Sequence, residues 1–298
     1  MAFKLYGNSD LWFQDKRLTE PVRFAHASDF HMPPMSENVP ARYEHAIQWW
    51  AEAMGDPKAA LAPVLDEIAR FDVDFIFFGG DILDCFDAVT ARHVREQCEQ
   101  RGLKGYFQFG NHDIESWVMR FETHEFDADV RRENAEAYYA IWDMPGSDYA
   151  FTVEGVTFIS LDCPYHKIAD GQWGGVLAAE QVDWLEQQIQ GEGPAVVFHH
   201  VPLNLPTFEH RMRAIWNGQV DTLKDDAVTR RFFQLVADSP QVLGTFAGHT
   251  HMRSEDPIGR NWQFVTGAGH DRQWRLVCIS PEAAPKSMRV PGIPAVAD

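Results

Sequence analysis

Hydrophobic positions follow two alternating patterns along the chain. Short, nearly continuous apolar runs recur at Val22 to Ala27, Val73 to Phe78, Leu103 to Phe109, Val156 to Leu161, Ala195 to Phe198, Val242 to Ala247 and Trp262 to Thr266. Such runs predict strands covered on both faces. Tyr149 to Val153 is expected to pair with the Val156 run through Glu154-Gly155, a two-residue hairpin link whose Gly tolerates positive φ. Between the runs, Leu61, Val64, Leu65 and Ile68 recur at three- and four-residue spacing, as do Val182, Leu185 and Ile189. These segments, and residues 226–237, are expected to be helices. Strand and helix in alternation predict an α/β fold, with helices on the faces of a central sheet. Residues 32–56 and 114–148 read as irregular or helical excursions. The second is expected to be packed, because it holds Trp117, Phe121, Phe126, Tyr138, Tyr139 and Trp142. The Pro- and Ala-rich stretch 281–298 is expected to be extended. With no internal repeat, residues 1–298 read as one domain with a core over about 22–280.

Composition narrows the class. The chain has 298 residues, 45% of them hydrophobic and 23% charged, which suits a globular protein with a sizeable core. No apolar stretch reaches the roughly 18 residues of a membrane span, and Met1 to Phe13 lacks the basic-then-apolar order of a secretory leader. Cys85, Cys98, Cys163 and Cys278 are widely spaced, with no CxxC pair. Free thiols and a cytoplasmic location are the expectation. The net charge of −18 argues against a nucleic-acid polymer as partner and fits a chain that devotes several carboxylates to cations.

Five polar segments each directly follow an apolar run: Asp29-Phe30-His31, Gly80-Asp81-Ile82-Leu83-Asp84, Gly110-Asn111-His112-Asp113, His199-His200-Val201-Pro202 and Gly248-His249-Thr250-His251. Each alone has an ordinary explanation: a capping Asp, a Gly-Asn turn, or a packed His pair. Loops at the carboxyl ends of strands in α/β sheets converge on one crevice, however, so all five can meet in space. Asp, Asn and His together are a donor set for divalent cations.

The order D-x-H, GD-x-x-D, GNHD, H and GH-x-H resembles the calcineurin-like metallophosphoesterase superfamily, over roughly Phe24 to Thr266. The resemblance implies a four-layer α/β/β/α sandwich with metals at the carboxyl ends of the strands. It implies one ion on Asp29, His31, Asp81 and His251, and a second on Asp81, Asn111, His200 and His249. Asp81 would bridge them, one oxygen to each ion. The ions would be divalent Mn, Fe, Zn, Co or Ni. The family's H-x-P pattern aligns on His200, which leaves His199 to touch a ligand or the substrate. Two cations about 3.5–4 Å apart activate water and clamp phosphoryl oxygens. His112 would face the phosphate as a charge-stabilising or proton-donating catalytic group, with Asp113 available to orient its ring. Asp84 stands where purple acid phosphatases carry a Tyr, and is expected beside a ligand such as His31.

Length and layout most resemble small bacterial class III phosphodiesterases, in part through the segment Gly175 to Ile189. The expected function is hydrolysis of small phosphodiesters. A phosphomonoesterase, a DNA exonuclease of the repair type and a non-catalytic metal-dependent scaffold are the alternatives. Scaffolds of this fold usually lose ligands, and here the set is complete. The excursion 114–148 admits two uses, a lid or an interface in a homo-oligomer. His26 reads as a core residue. His166 and His270 follow apparent strands and are further candidates to reach the pocket. Trp173 is a stacking surface or packing, and Cys163 a buried inert thiol.

Overall fold

The computed structural model describes residues 3–6, 10–36, 55–114, 128–169, 172–215 and 221–285. Trp117, Phe121, Phe126, most of the 32–56 excursion and most of the expected extended tail lie outside the described residues.

Two six-stranded sheets form the centre. The first has the order β1 (Phe3–Tyr6), β2 (Asp10–Gln14), β14 (Arg275–Ser280), β3 (Val22–Ala27), β4 (Phe75–Phe78) and β5 (Gly105–Phe107). The second runs β12 (Ser254–Ile258), β13 (Asn261–Val265), β11 (Val242–Ala247), β10 (Ala195–His199), β7 (Val156–Leu161) and β6 (Tyr149–Val153). Strands β3, β4 and β5 are parallel, as are β7, β10, β11 and β13. A separate hairpin joins β8 (Tyr165–Ala169) to β9 (Gln172–Gly175).

Alternate side chains of each run serve different layers, which is why the runs are apolar throughout. Phe24, Phe75 and Phe77 of the first sheet meet Phe158, Phe198, Phe246 and Phe264 of the second in an inner core. The Phe24 ring meets Phe158, Phe198 and Phe246 edge-on at 5.4, 5.9 and 5.6 Å, the geometry favoured by aromatic quadrupoles. On the outer face of the first sheet, Ala25, Ile76 and Phe78 pack against helices α1 (Pro57–Ile68), α2 (Ala88–Glu99) and α4 (Ala128–Trp142). Outside the second, Ile159, Leu161 and Val197 pack against α5 (Ala179–Gln188), α6 (Pro206–Ile215) and α7 (Ala227–Asp238). The result is the four-layer sandwich.

The one central sheet read from periodicity is therefore two, because a run buried under a helix and one buried under a second sheet look alike. Glu154 and Gly155 both take positive φ, 46° and 81°, as a tight hairpin with right-handed twist requires. The run at 103–109 is a strand only over Gly105–Phe107; its last residues enter the loop that opens with α3 (Asn111–Ile114). β12, with sequence SEDPI, has no apolar pattern; it lies at a sheet edge, where Pro is tolerated. Within 114–148, α4 stacks Trp142 on Phe107 and sets Tyr138 edge-on against Phe109, so its described part is packed as expected.

Arg275 crosses between the sheets. Fully buried on β14, it donates to the carbonyls of Ser254 and Val265 and to the Glu255 carboxylate. Burial pulls its pKa down to about 10, so the charge persists at neutral pH. Removing one partner of such a group strands the others. Arg275→Ala is expected to cost about 3–5 kcal/mol in urea unfolding, and Arg275→Met, which retains the stem, less.

Candidate metal centre

The five polar segments follow β3, β4, β5, β10 and β11, and backbone hydrogen bonds join them. Asp29 N donates to Gly80 O, His31 N to Asp81 O and Met32 N to Ile82 O, at 2.9, 2.9 and 2.8 Å. Gly248 N donates to His200 O at 3.0 Å, and His249 N to the Asp29 carboxylate at 3.0 Å. Asp29, His31, Asp81, His249 and His251 all take left-handed backbone, with φ of 57°, 49°, 51°, 69° and 55°. Each such non-Gly residue costs about 1–3 kcal/mol and persists only where its surroundings over-determine it. Two glycines permit the close approach. A Cβ on Gly110 would lie 2.1 Å from Asp81 Oδ1, and one on Gly248 would lie 2.5 Å from Asp29 Oδ2.

Among the described residues the side chains form three donor groups; one, His31 with Asp84 and His112, shares His31 with the first of the two that hold the expected ligands. In the first, Asp29, His31 and His251 converge, with His31 Nε2 2.9 Å from His251 Nε2 and His251 Nε2 3.6 Å from Asp29 Oδ1. In the second, Asp81, His200 and His249 converge, with His200 Nε2 3.1 Å from Asp81 Oδ2. The same Oδ2 lies 3.9 Å from His31 Nε2, so Asp81 faces both groups through one oxygen. Its Oδ1 accepts from His112 N at 2.8 Å. The backbone of the GNHD turn thus meets the second oxygen, which keeps a further lone pair. Asn111 is buried, and its Oδ1 has no hydrogen-bond partner.

Each imidazole of the two groups has a polar neighbour behind one ring nitrogen, the side from which a ligating His is usually oriented. His200 Nδ1 donates to Gly79 O at 2.7 Å. His31 Nδ1 lies 3.5 Å from Asp84 Oδ1, and His251 Nδ1 lies 3.4 Å from His270 Nε2. His249 is reversed, with its Nε2 3.2 Å from Asp221 Oδ1. Burial disfavours charge on His251 and, with His31 and His270 nearby, holds its pKa well below the ordinary value, leaving a neutral ring. Burial acts the same way on His200, but Asp81 and Asp29 outweigh it and push that pKa up to about 10.

His112 and His31 meet edge-on at 4.6 Å, and His112 Nδ1 donates to Asp84 O at 3.0 Å, with Asp84 Oδ1 at 3.3 Å. Burial works against a charged His112, yet Asp81 and Asp84 raise its pKa above the ordinary value. The orienting role expected of Asp113 belongs by geometry to Asp84. Asp113, one residue beyond His112 on α3, points inward instead. It accepts from the amides of Asp81, Gly110 and Leu83, each at 2.8 Å, and so joins two loops. His199 lies on the opposite face of β10 from the inner core. Its Nδ1 donates to Val201 O, and its ring meets Phe232 of α7 edge-on at 5.3 Å.

Of the two further His candidates, His270 reaches the centre. The ring nitrogen of His166 instead donates to Lys167 O, at the surface end of β8. His26 is a core residue stacked on Phe77 and Phe198, with burial pulling its pKa to about 3. All four cysteines are free and buried, and burial pushes the Cys163 thiol up to about 12. Asp221 was not signalled by any motif, because it follows no apolar run.

The donor chemistry fits divalent cations. Asp29, Asp81, Asp84 and Asp113 are all buried at the centre. Asn111 Oδ1, His200 Nε2 and His249 Nδ1 are buried without hydrogen-bond partners. Each unsatisfied group costs about 1–3 kcal/mol, and a coordinated ion would satisfy them together.

A two-sheet sandwich with Asp, Asn and His gathered at its strand ends has the architecture of metal-dependent phosphoester hydrolases. The family model described as calcineurin-like phosphoesterase matches residues 22–253, and the chain belongs to that family. No curated protein sequence matches it. Among solved structures, a dimetal phosphatase from Danio rerio is similar, at 13% identity and a TM-score of 0.52, over 86% of this chain and 91% of that one. The purple acid phosphatase PPD1 from yellow lupin (Lupinus luteus) seeds is similar at 12% identity and a TM-score of 0.50. That match covers 87% of this chain but only 46% of the lupin protein. At such identities the likeness is one of fold. No helix among the described residues is long and apolar enough to cross a membrane.

Two outcomes follow from the donor set. Mn(II) at about 100 times its Kd is expected to stabilise the ion-free chain by about 2.7 kcal/mol per site, read as a rise in Tm, and Asp81→Asn to abolish most of that rise. Entry of a cation must also expel the proton that Asp81 and Asp29 hold on His200. Calorimetry at pH 7 in buffers of different ionisation enthalpy should therefore show proton release, and affinity should strengthen as pH rises toward 10.

Proposed function

We propose that the chain is a dinuclear metal-dependent phosphodiesterase acting on small diesters. The observation that carries this reading is the meeting of two donor groups on Asp81 with His112 beside them, braced by Asp84. When bound, two divalent ions supply Lewis acidity and activate water as a nucleophile. Asp29, His31, Asp81 and His251 would hold one ion. Asp81, Asn111, His200 and His249 would hold the other.

The chain's own residues do the rest. Asp84 takes the Nδ1 hydrogen of His112 and, with Asp81, favours its protonated form. His112 Nε2 then has the task of donating to a phosphoryl oxygen or to the leaving oxygen. Asp113 holds the turn that aims this ring.

A monoanionic diester suits the surroundings better than a dianionic monoester. Of the basic side chains close in sequence to the candidate loops, Arg253 donates to Trp274 O, a carbonyl, and is half-buried. The net charge of −18 counts against a long polyanion such as DNA.

The test is a pair of rates with Mn(II), on bis(p-nitrophenyl) phosphate and p-nitrophenyl phosphate. The diester should be preferred, and His112→Ala should lower kcat by about 10²–10⁴-fold with metal uptake unchanged. Preference for the monoester would overturn the diester assignment. Cleavage of neither by the metal-loaded chain would overturn hydrolysis in favour of a scaffold.

A further inference from the structure

We infer that Asp221, backed by Tyr165, is a positioning residue that fixes His249 with its Nδ1 lone pair directed at the donor group of Asp81 and His200. The inference rests on the metal-binding part of the proposed function and does not need the hydrolytic part.

The contrast among the four imidazoles carries it. His31, His200 and His251 are each approached from behind at Nδ1, by Asp84, Gly79 O and His270, and each turns Nε2 toward the centre. His249 is the reverse. Its Nε2 lies at ion-pair distance, 3.2 Å, from Asp221 Oδ1, and both of its ring nitrogens are buried without a hydrogen-bond partner. A neutral imidazole carries one N–H. A carboxylate can only accept, so Asp221 draws that hydrogen to Nε2 and leaves the lone pair on Nδ1. Without it the two tautomers would compete, and the Nε2 lone pair would face outward.

Asp221 is itself held. The Tyr165 hydroxyl donates to the same Oδ1, and the Tyr165 ring lies 4.8 Å from that of His249. The segment carrying Asp221 is tied in at its next residues. Thr222 O accepts from Gly175 N at 3.2 Å, Leu223 N donates to Pro202 O at 2.8 Å, and Lys224 N donates to Gly175 O at 2.8 Å. The β8–β9 hairpin, which pairs Tyr165 with Gly175, thus supports one ligand of the centre from outside. Partners of this kind typically change metal affinity by about 10–100-fold.

The experiment titrates Mn(II) into the ion-free full chain by calorimetry. It is paired with ¹⁵N NMR of the His side chains, with His249 assigned from the signal missing in His249→Gln. Wild type should bind two ions and show His249 with hydrogen on Nε2. Asp221→Ala should weaken one ion by about 10–100-fold, leave the other within twofold and mix the His249 tautomers. Asp221→Asn keeps an accepting oxygen and should recover most of the affinity. Tyr165→Phe should produce a smaller loss at the same ion. Asp221 is part-exposed, so the ion-free Tm of the two Asp221 variants should stay at the wild-type value. Wild-type affinity for both ions in Asp221→Ala would overturn the inference alone, as would an unchanged tautomer or equal weakening of both ions. A wild-type chain that takes up no second ion would overturn it together with the metal-centre reading. Two ions bound without any phosphoester cleaved would overturn hydrolysis and leave this inference standing.

Discussion

The Asp81 carboxylate is the point on which the arrangement depends. Its Oδ2 stands between the two donor groups, its Oδ1 accepts from the GNHD turn, its carbonyl receives His31 N, and its amide donates to Asp113. One residue thus connects the loops after β3, β4, β5 and β10. A carboxylate buried so deeply is opposed first by desolvation, yet His200 and His112 hold its pKa well below the ordinary value. Asp29, similarly buried but with Asp81 nearby, moves the other way. The centre therefore concentrates negative charge that neighbouring imidazoles only partly offset, which is the electrostatic setting a divalent cation completes.

Holding such a cluster requires a stiff frame. The inner aromatic core fixes the two sheets face to face, and the parallel strands deliver their carboxyl ends to one edge. The left-handed residues lie where strands stop and donors begin. Their strain is borne by the ladder between residues 29–32 and 80–82 and by contacts that exclude even a methyl group at Gly110 and Gly248. Stability in the sandwich is in this sense spent at its rim, as is common where a site must be held in one geometry.

The outer supports differ in kind. Asp84 serves two rings at once, His31 and His112, so the orientation of a candidate ligand and of the candidate proton donor share one carboxylate. His200 is held by a backbone carbonyl, His251 by another imidazole, and His249 by a carboxylate that is part-exposed.

Much of this was legible in the chain itself. Continuous apolar runs marked the inner strands because both faces of each are covered, and the polar segments after them marked the strand ends where donors gather. The donor types, their order and the charge balance pointed to divalent cations. Three things depended on the tertiary structure. Whether a covered run faces a helix or a second sheet is settled by packing, since both bury the same side chains. Which neighbour orients His112 depends on the angle between successive residues of a short helix, which turns Asp113 inward and leaves the ring to Asp84. His270 and Asp221 enter only because segments distant in sequence are brought behind His251 and His249, and contacts of that kind leave no periodic mark in the residues that make them.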